Sequence, residues 1–97
     1  MKQKNEVTDR VAEIYRRFFQ AIQLDSRTNL KKFCRTHDLN YRKFIELKSK
    51  YYNLEDKDTR YTVVPLDAIL MLCDDLSLSI DWILSGRGEM YINNNVK

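Results

Sequence analysis

The sequence predicts an all-α domain, and three observations predict it. Apolar residues recur three and four positions apart along most of the chain. Only two glycines and one proline occur in 97 residues, too few for the turns of a β-rich fold. Thr8, Asn29, Asn40 and Ser79, residue types that cap helix starts, precede the periodic stretches. The length suits a single domain over 1–97, and a hydrophobic fraction of 43% supplies one core and no second.

Five helices are expected. The first starts at Thr8 as N-cap and runs to about Gln23, with Val11, Ile14, Tyr15, Phe18 and Ile22 along its inner stripe. Leu24 to Thr28 reads as a short polar connection. Asn29 caps a brief second helix to about Thr36, with Leu30, Phe33 and Cys34 inward. Asp38, Leu39 and Asn40 have turn chemistry, because Asp tolerates left-handed backbone and Asn caps the next helix. The third helix runs from Tyr41 to about Tyr51 and buries Phe44, Leu47 and Tyr51.

Residues 53–62 have no helical period and read as an exposed loop. Pro65 suits the first turn of a fourth helix, whose apolar face is Leu66, Ile69, Leu70, Cys73 and Leu76. Ser79 caps a fifth helix from Ile80 to Leu84, which stops at Gly86. Residues 90–97 read as a tail, loose or engaged in an oligomer.

Charge is unevenly spread. The net charge of +3 conceals a segment, 27–50, with eight Lys or Arg against two acids. Residues 51–97 reverse the balance, with four basic against eight acidic side chains. A basic block beside an acidic remainder is the footprint of a polyanion-binding face. A solvated helical surface gives the same composition, so charge alone leaves both open.

Spacing sharpens the choice. Two short helices joined by a tight turn, the second strongly basic, form a helix-turn-helix over about 29–51, which sets one helix in the DNA major groove. At 100° per residue, Phe44 and Leu47 mark the buried side of the third helix. Arg42, Ile45, Glu46 and Ser49 then share the opposite face, with Tyr41 at the leading turn. Arg42 can donate to guanine, Glu46 can accept from cytosine, and Ile45 can meet a thymine methyl. Arg27, Lys31, Lys32, Lys43, Lys48 and Lys50 are the candidates for phosphate contact. Against this stands a plain solvated stripe, with Glu46 ion-paired to Arg42 and Lys50 four residues away on either side.

The segment from Asn29 to Leu47 resembles the helix-turn-helix of the lambda-repressor-like, Cro/CI-type family. Asn29 matches its N-cap, Cys34 its small-residue position, Leu39 its apolar turn residue, and Phe44 with Leu47 its buried pair. The run from Leu78 to Tyr91 is similar to the segment closing the DNA-binding domain of phage CI-type repressors. Ser79 stands as the cap, Trp82 as the core plug, and Gly86 and Gly88 as the terminating Gly-x-Gly. Together with the fourth helix these stretches cover about two-thirds of the chain. The resemblance implies a five-helix fold, a transcriptional regulator acting as a repressor, and a homodimer on a two-fold operator. Leu30 stands where the family often has Gln, and Asp38 where it has a turn glycine. These departures leave an alternative: a protein-interaction or dimerisation module on the same fold with DNA binding lost.

Other constellations carry less. Cys34-x-x-His37 with the distant Cys73 offers three metal ligands where structural zinc takes four, so buried thiols and no metal are expected. His37 as a base for Cys34 lacks an orienting third group, and no catalytic set or cofactor motif is found. Asp74 and Asp75 end a helix and read as solvated. Gly86-x-Gly88 comes after a helix instead of opening one, the wrong context for a phosphate cradle. The cysteine spacing is not a disulfide framework, which implies a reducing, cytoplasmic setting. The polar start, Met1 to Glu6, predicts no secretory signal. The longest apolar run, Val63 to Cys73, is too short for a bilayer, which needs about 20 residues.

Overall fold

A computed structural model describes residues 8–56 and 58–92. Those residues form five helices: α1 Asp9–Leu24, α2 Leu30–Thr36, α3 Tyr41–Tyr51, α4 Leu66–Leu76 and α5 Ile80–Ser85. The described residues contain no strand, only an isolated antiparallel bridge between Leu78 and Tyr91. The all-α expectation holds.

Helix starts fall where side-chain oxygens can take up orphan amides. Thr8 Oγ1 accepts from Val11 N–H at 3.2 Å, and Asn29 Oδ1 from Lys32 N–H at 2.8 Å. Asn40 Oδ1 accepts from Lys43 N–H at 3.1 Å, and Ser79 Oγ from Trp82 N–H at 3.2 Å. Each such cap stabilises its helix by about 1 kcal/mol. Pro65 occupies the N-cap of α4, one position earlier than expected, and makes no side-chain bond there.

The core is built around Phe18 of α1, which is fully buried. Its ring meets Phe19 at 4.9 Å, Phe33 of α2 at 5.9 Å and Phe44 of α3 at 6.2 Å between centroids. Tyr15 meets Tyr51 edge-on at 5.1 Å, adding a second link between α1 and α3. Leu47, Leu72, Leu78 and Ile83 fill the remaining volume without solvent exposure. Arg17 reaches from α1 to the end of α5, donating to the carbonyls of Ile83 at 2.7 Å and Leu84 at 3.2 Å. Gly86 ends α5 at φ +77°, and a Cβ there would come within 3.0 Å of the Arg17 guanidinium. The left-handed backbone therefore favours glycine, and a Cβ would crowd the Arg17 side chain.

Four expectations need correction. Leu66 and Leu70 lie on the outer side of α4, 63% and 44% exposed, while Ala68, Ile69 and Leu72 take the inner side. Trp82 is only half-buried, packed against the core without plugging it. The start of the tail, 90–92, is docked: Ser79 N–H donates to Met90 O and Ile92 N–H to Ser77 O, both at 2.8 Å. The rest of it, 93–97, lies outside the described residues.

The fourth concerns the connection after α1, which is far from a plain polar link. Asp25 is 7% exposed and accepts from Arg27 N–H at 2.8 Å, Arg27 Nε at 3.0 Å and Tyr91 O–H at 2.7 Å. A second arm of Arg27 reaches the other Asp25 oxygen at 2.8 Å and the Leu76 carbonyl at 3.2 Å. This knot ties the entry of α2 to the end of α4 and to the C-terminal segment. The Arg27 guanidinium, outweighing the cost of burial, holds the Asp25 carboxyl well below the usual carboxylate range.

A depressed folded-state pKa makes this stabilisation fully present above about pH 4, the unfolded aspartate range, and lost as acid protonates the folded carboxyl. Arg27 is 59% exposed, so screening leaves the buried hydrogen bonds as the main contribution. Asp25→Asn is expected to lower stability by about 1.5–3 kcal/mol at pH 7. Urea unfolding of both proteins should show that difference shrinking on acidification toward pH 3. An unchanged difference would contradict the assignment.

Candidate functional site

The basic segment folds as α2, a four-residue connection and α3. At the end of α2, Asp38 takes left-handed backbone at φ 57° and Leu39 N–H donates to Cys34 O at 2.7 Å. That i to i+5 bond closes the helix end, and Leu39 folds its half-buried side chain back onto the core. Phe33, Cys34, Phe44 and Leu47 are buried between the two helices and α1, so the two helices are held as one unit.

The outer face of α3 divides into two halves. In its first half Tyr41 is 40% exposed, Ile45 is 39% exposed, and Arg42 is exposed with no hydrogen-bond or ion-pair partner among the described residues. Its second half is covered by the segment C-terminal to the helix. Glu46 accepts from Arg60 N–H at 2.9 Å, and its carboxylate is engaged with the loop. Glu55 N–H donates to the Ser49 carbonyl at 2.8 Å, and Ser49 is only 8% exposed. Tyr51 O–H donates to Thr62 O at 2.6 Å. The loop is exposed as expected at 53–56, 58 and 60, but these three bonds strap it along the helix. Ser49 therefore leaves the set of candidate contacts, and Glu46 is committed within the chain. The ion pairs from Glu46 to Arg42 or Lys50 do not form.

The cationic candidates also separate. Lys31 and Lys32 are exposed in the first turn of α2, with Lys32 Nζ donating to Arg27 O at 3.3 Å. A shallow groove runs beside them, walled by Thr28, Asn29, Leu30, Tyr41, Ile45 and Lys48. Lys43, Lys48 and Lys50 are half-buried, each with its ammonium over a tyrosine ring: Tyr61 at 5.5 Å, Tyr52 at 5.9 Å and Tyr51 at 5.6 Å. These ring contacts hold the stems while leaving the charges uncompensated. Arg27 is the exception, since its Nε and Nη2 are spent on Asp25 and Leu76 and its charge is paired with the Asp25 carboxylate.

Periodicity overlooked Asp25, Arg60, Tyr61 and Tyr91. For Asp25 a signal existed, because an Asp two residues before an Arg is spaced to accept that residue's backbone N–H. For Arg60 and Tyr61 no local pattern pointed to the helix they pack on.

Cys34 and His37 point to different places. Cys34 is buried, and burial pushes its thiol up to about 11. His37 Nε2 lies 2.7 Å from Asp75 Oδ2, and its ring leans on Phe33, tilted by 58° with centroids 4.9 Å apart. Asp75 is therefore partnered, not merely solvated. Cys73 is buried too and its thiol is also raised, by burial first and then by Asp74. Among the described residues no three His, Cys, Asp or Glu gather as a metal site. No helix among them is long and apolar enough to cross a membrane. Comparison with protein-family models, with curated proteins and with solved structures gives no match.

Burial and raised pKa make both thiols poor nucleophiles in the folded chain. A chromogenic thiol reagent at pH 8 should label neither cysteine of the native protein within the time it labels both in denaturant. Rapid labelling of native Cys34 would mean that α2 opens readily.

Proposed function

We propose that this chain is a sequence-specific, duplex-DNA-binding transcriptional regulator, with α2 and α3 acting as a helix-turn-helix and the first half of α3 entering the major groove. One observation carries the reading: Tyr41, Arg42 and Ile45 form an open face at the leading end of α3, beside the exposed Lys31 and Lys32. Helices that read DNA in this way use their leading residues on base edges. Arg42 has an uncommitted guanidinium, whose planar fork matches O6 and N7 of guanine. Ile45 supplies an apolar surface for a thymine methyl, and Tyr41 a hydroxyl.

The remaining roles are set by charge. Lys31, Lys32 and Lys43 surround that face and suit backbone phosphates, with Lys48 and Lys50 further along the helix. Arg27 stays out of this set because its charge is neutralised internally. Glu46 and Ser49, turned to the loop, leave sequence reading to three residues. Action as a repressor of phage type, and binding as a homodimer to a two-fold operator, rest on the resemblance to the Cro/CI-type family.

Duplex affinity is expected to fall steeply with salt, because each neutralised phosphate releases counterions. On a selected site, Arg42→Ala should cost about 1–3 kcal/mol and relax preference at one base position. Lys43→Ala should weaken all duplexes alike, and Ser49→Ala should leave sequence preference untouched. Binding competitions against single-base variants of the site report all three. An Arg42→Ala protein with unaltered preference would overturn the placement of α3.

A further inference from the structure

The loop strapped along α3 holds an arrangement that folding alone does not require. Arg60 is exposed, with its guanidinium carbon 5.7 Å from the centroid of the Tyr61 ring. Lys43 of α3 places its ammonium 5.5 Å from the same centroid. Two cations thus share one ring. The ring offsets each charge only in part, so both remain available to an anion. Glu46 and Asp58 line the same hollow as Arg60, yet neither carboxylate forms an ion pair with its guanidinium. Glu46 instead spends an oxygen on the Arg60 backbone N–H at 2.9 Å. The carboxylate fixes the position of the residue and leaves its side-chain charge free.

We infer that 58–62 is a second duplex-contact element, in which Arg60 binds a backbone phosphate beside α3 and Glu46 is the residue that positions it. The inference rests on the reading of α3 as the DNA-contacting helix. A phosphate at this place would supply the counter-charge that the Arg60 guanidinium lacks among the described residues. The Arg60 fork is suited to two parallel hydrogen bonds with such an anion. Glu46 sits on the face that a base-reading side chain would use. Its commitment to the loop turns it from a reader of cytosine into a support for a phosphate ligand, so it shapes register without specifying sequence.

The test is a salt titration of the full chain on a mixed-sequence duplex and on a selected site. Arg60→Ala should lower the slope of log K against log salt by about 1, on every duplex alike. Arg60→Lys should keep the slope. Glu46→Ala should reduce the slope as Arg60→Ala does, with no further loss in the double variant. Glu46→Gln retains a carbonyl acceptor for the Arg60 N–H and should behave as the parent. Helical circular dichroism of each variant checks that the fold is intact.

An unaltered slope in Arg60→Ala, with the parent still binding in a salt-dependent way, would overturn this inference and spare the reading of α3. Changed base preference in Glu46→Gln would overturn it as well, by making Glu46 a reader. A parent that shows no salt-dependent duplex binding would remove both.

Discussion

The position of α3 depends on one aromatic contact set. Phe18 touches a ring on each of α2 and α3, so α1 acts as the backing against which the two shorter helices are aligned. A seven-residue helix such as α2 has little stability of its own, since isolated helices shorter than about 12–15 residues are marginal in water. Its order comes from Leu30, Phe33 and Cys34 packed inward, and from the Asp25 knot at its entry. The left-handed Asp38 and the Leu39 N–H to Cys34 O bond then close the connection at 37–40, and the leading end of α3 is left facing water. Every functional proposal made for the chain inherits that alignment.

Much of the fold was legible because its signals are local. Caps at Thr8, Asn29, Asn40 and Ser79, and Pro65 before α4, with apolar spacing behind them, put all five helices within a residue or two of their observed bounds. Asp38 in left-handed backbone and Gly86 at the end of α5 were readable from residue type. What spacing could not supply was the identity of the covering element. The 100° rule sets Ser49 opposite Phe44 and Leu47, and in an isolated helix that means solvent. Here the opposite side of the last two turns is roofed by residues with no period of their own. Leu66 and Leu70 fail the other way: four residues apart and apolar, they mark a helix correctly but not which of its sides is inside.

The candidate site was legible in the same partial manner. Residue type and charge singled out Tyr41, Arg42 and Ile45, and these stay open in the structure. Arg27 looked equivalent to Lys31 and Lys32 in composition, and only the tertiary meeting of Asp25, Tyr91 and Leu76 distinguishes it. The same is true of Glu46, whose partner lies fourteen residues on. Charges on a helix are therefore a roster of candidates, and internal partners decide which of them remain available to a ligand.

The central claim is that the first half of α3, with the start of α2, is the surface that meets duplex DNA. Its most direct test is a titration of isotopically labelled protein with duplex, read out as amide chemical shifts. The largest changes are expected at 29–32 and 41–45, with the inner positions of α4 and α5 nearly still. Changes centred on α4 or α5, with 41–45 unmoved, would contradict the claim.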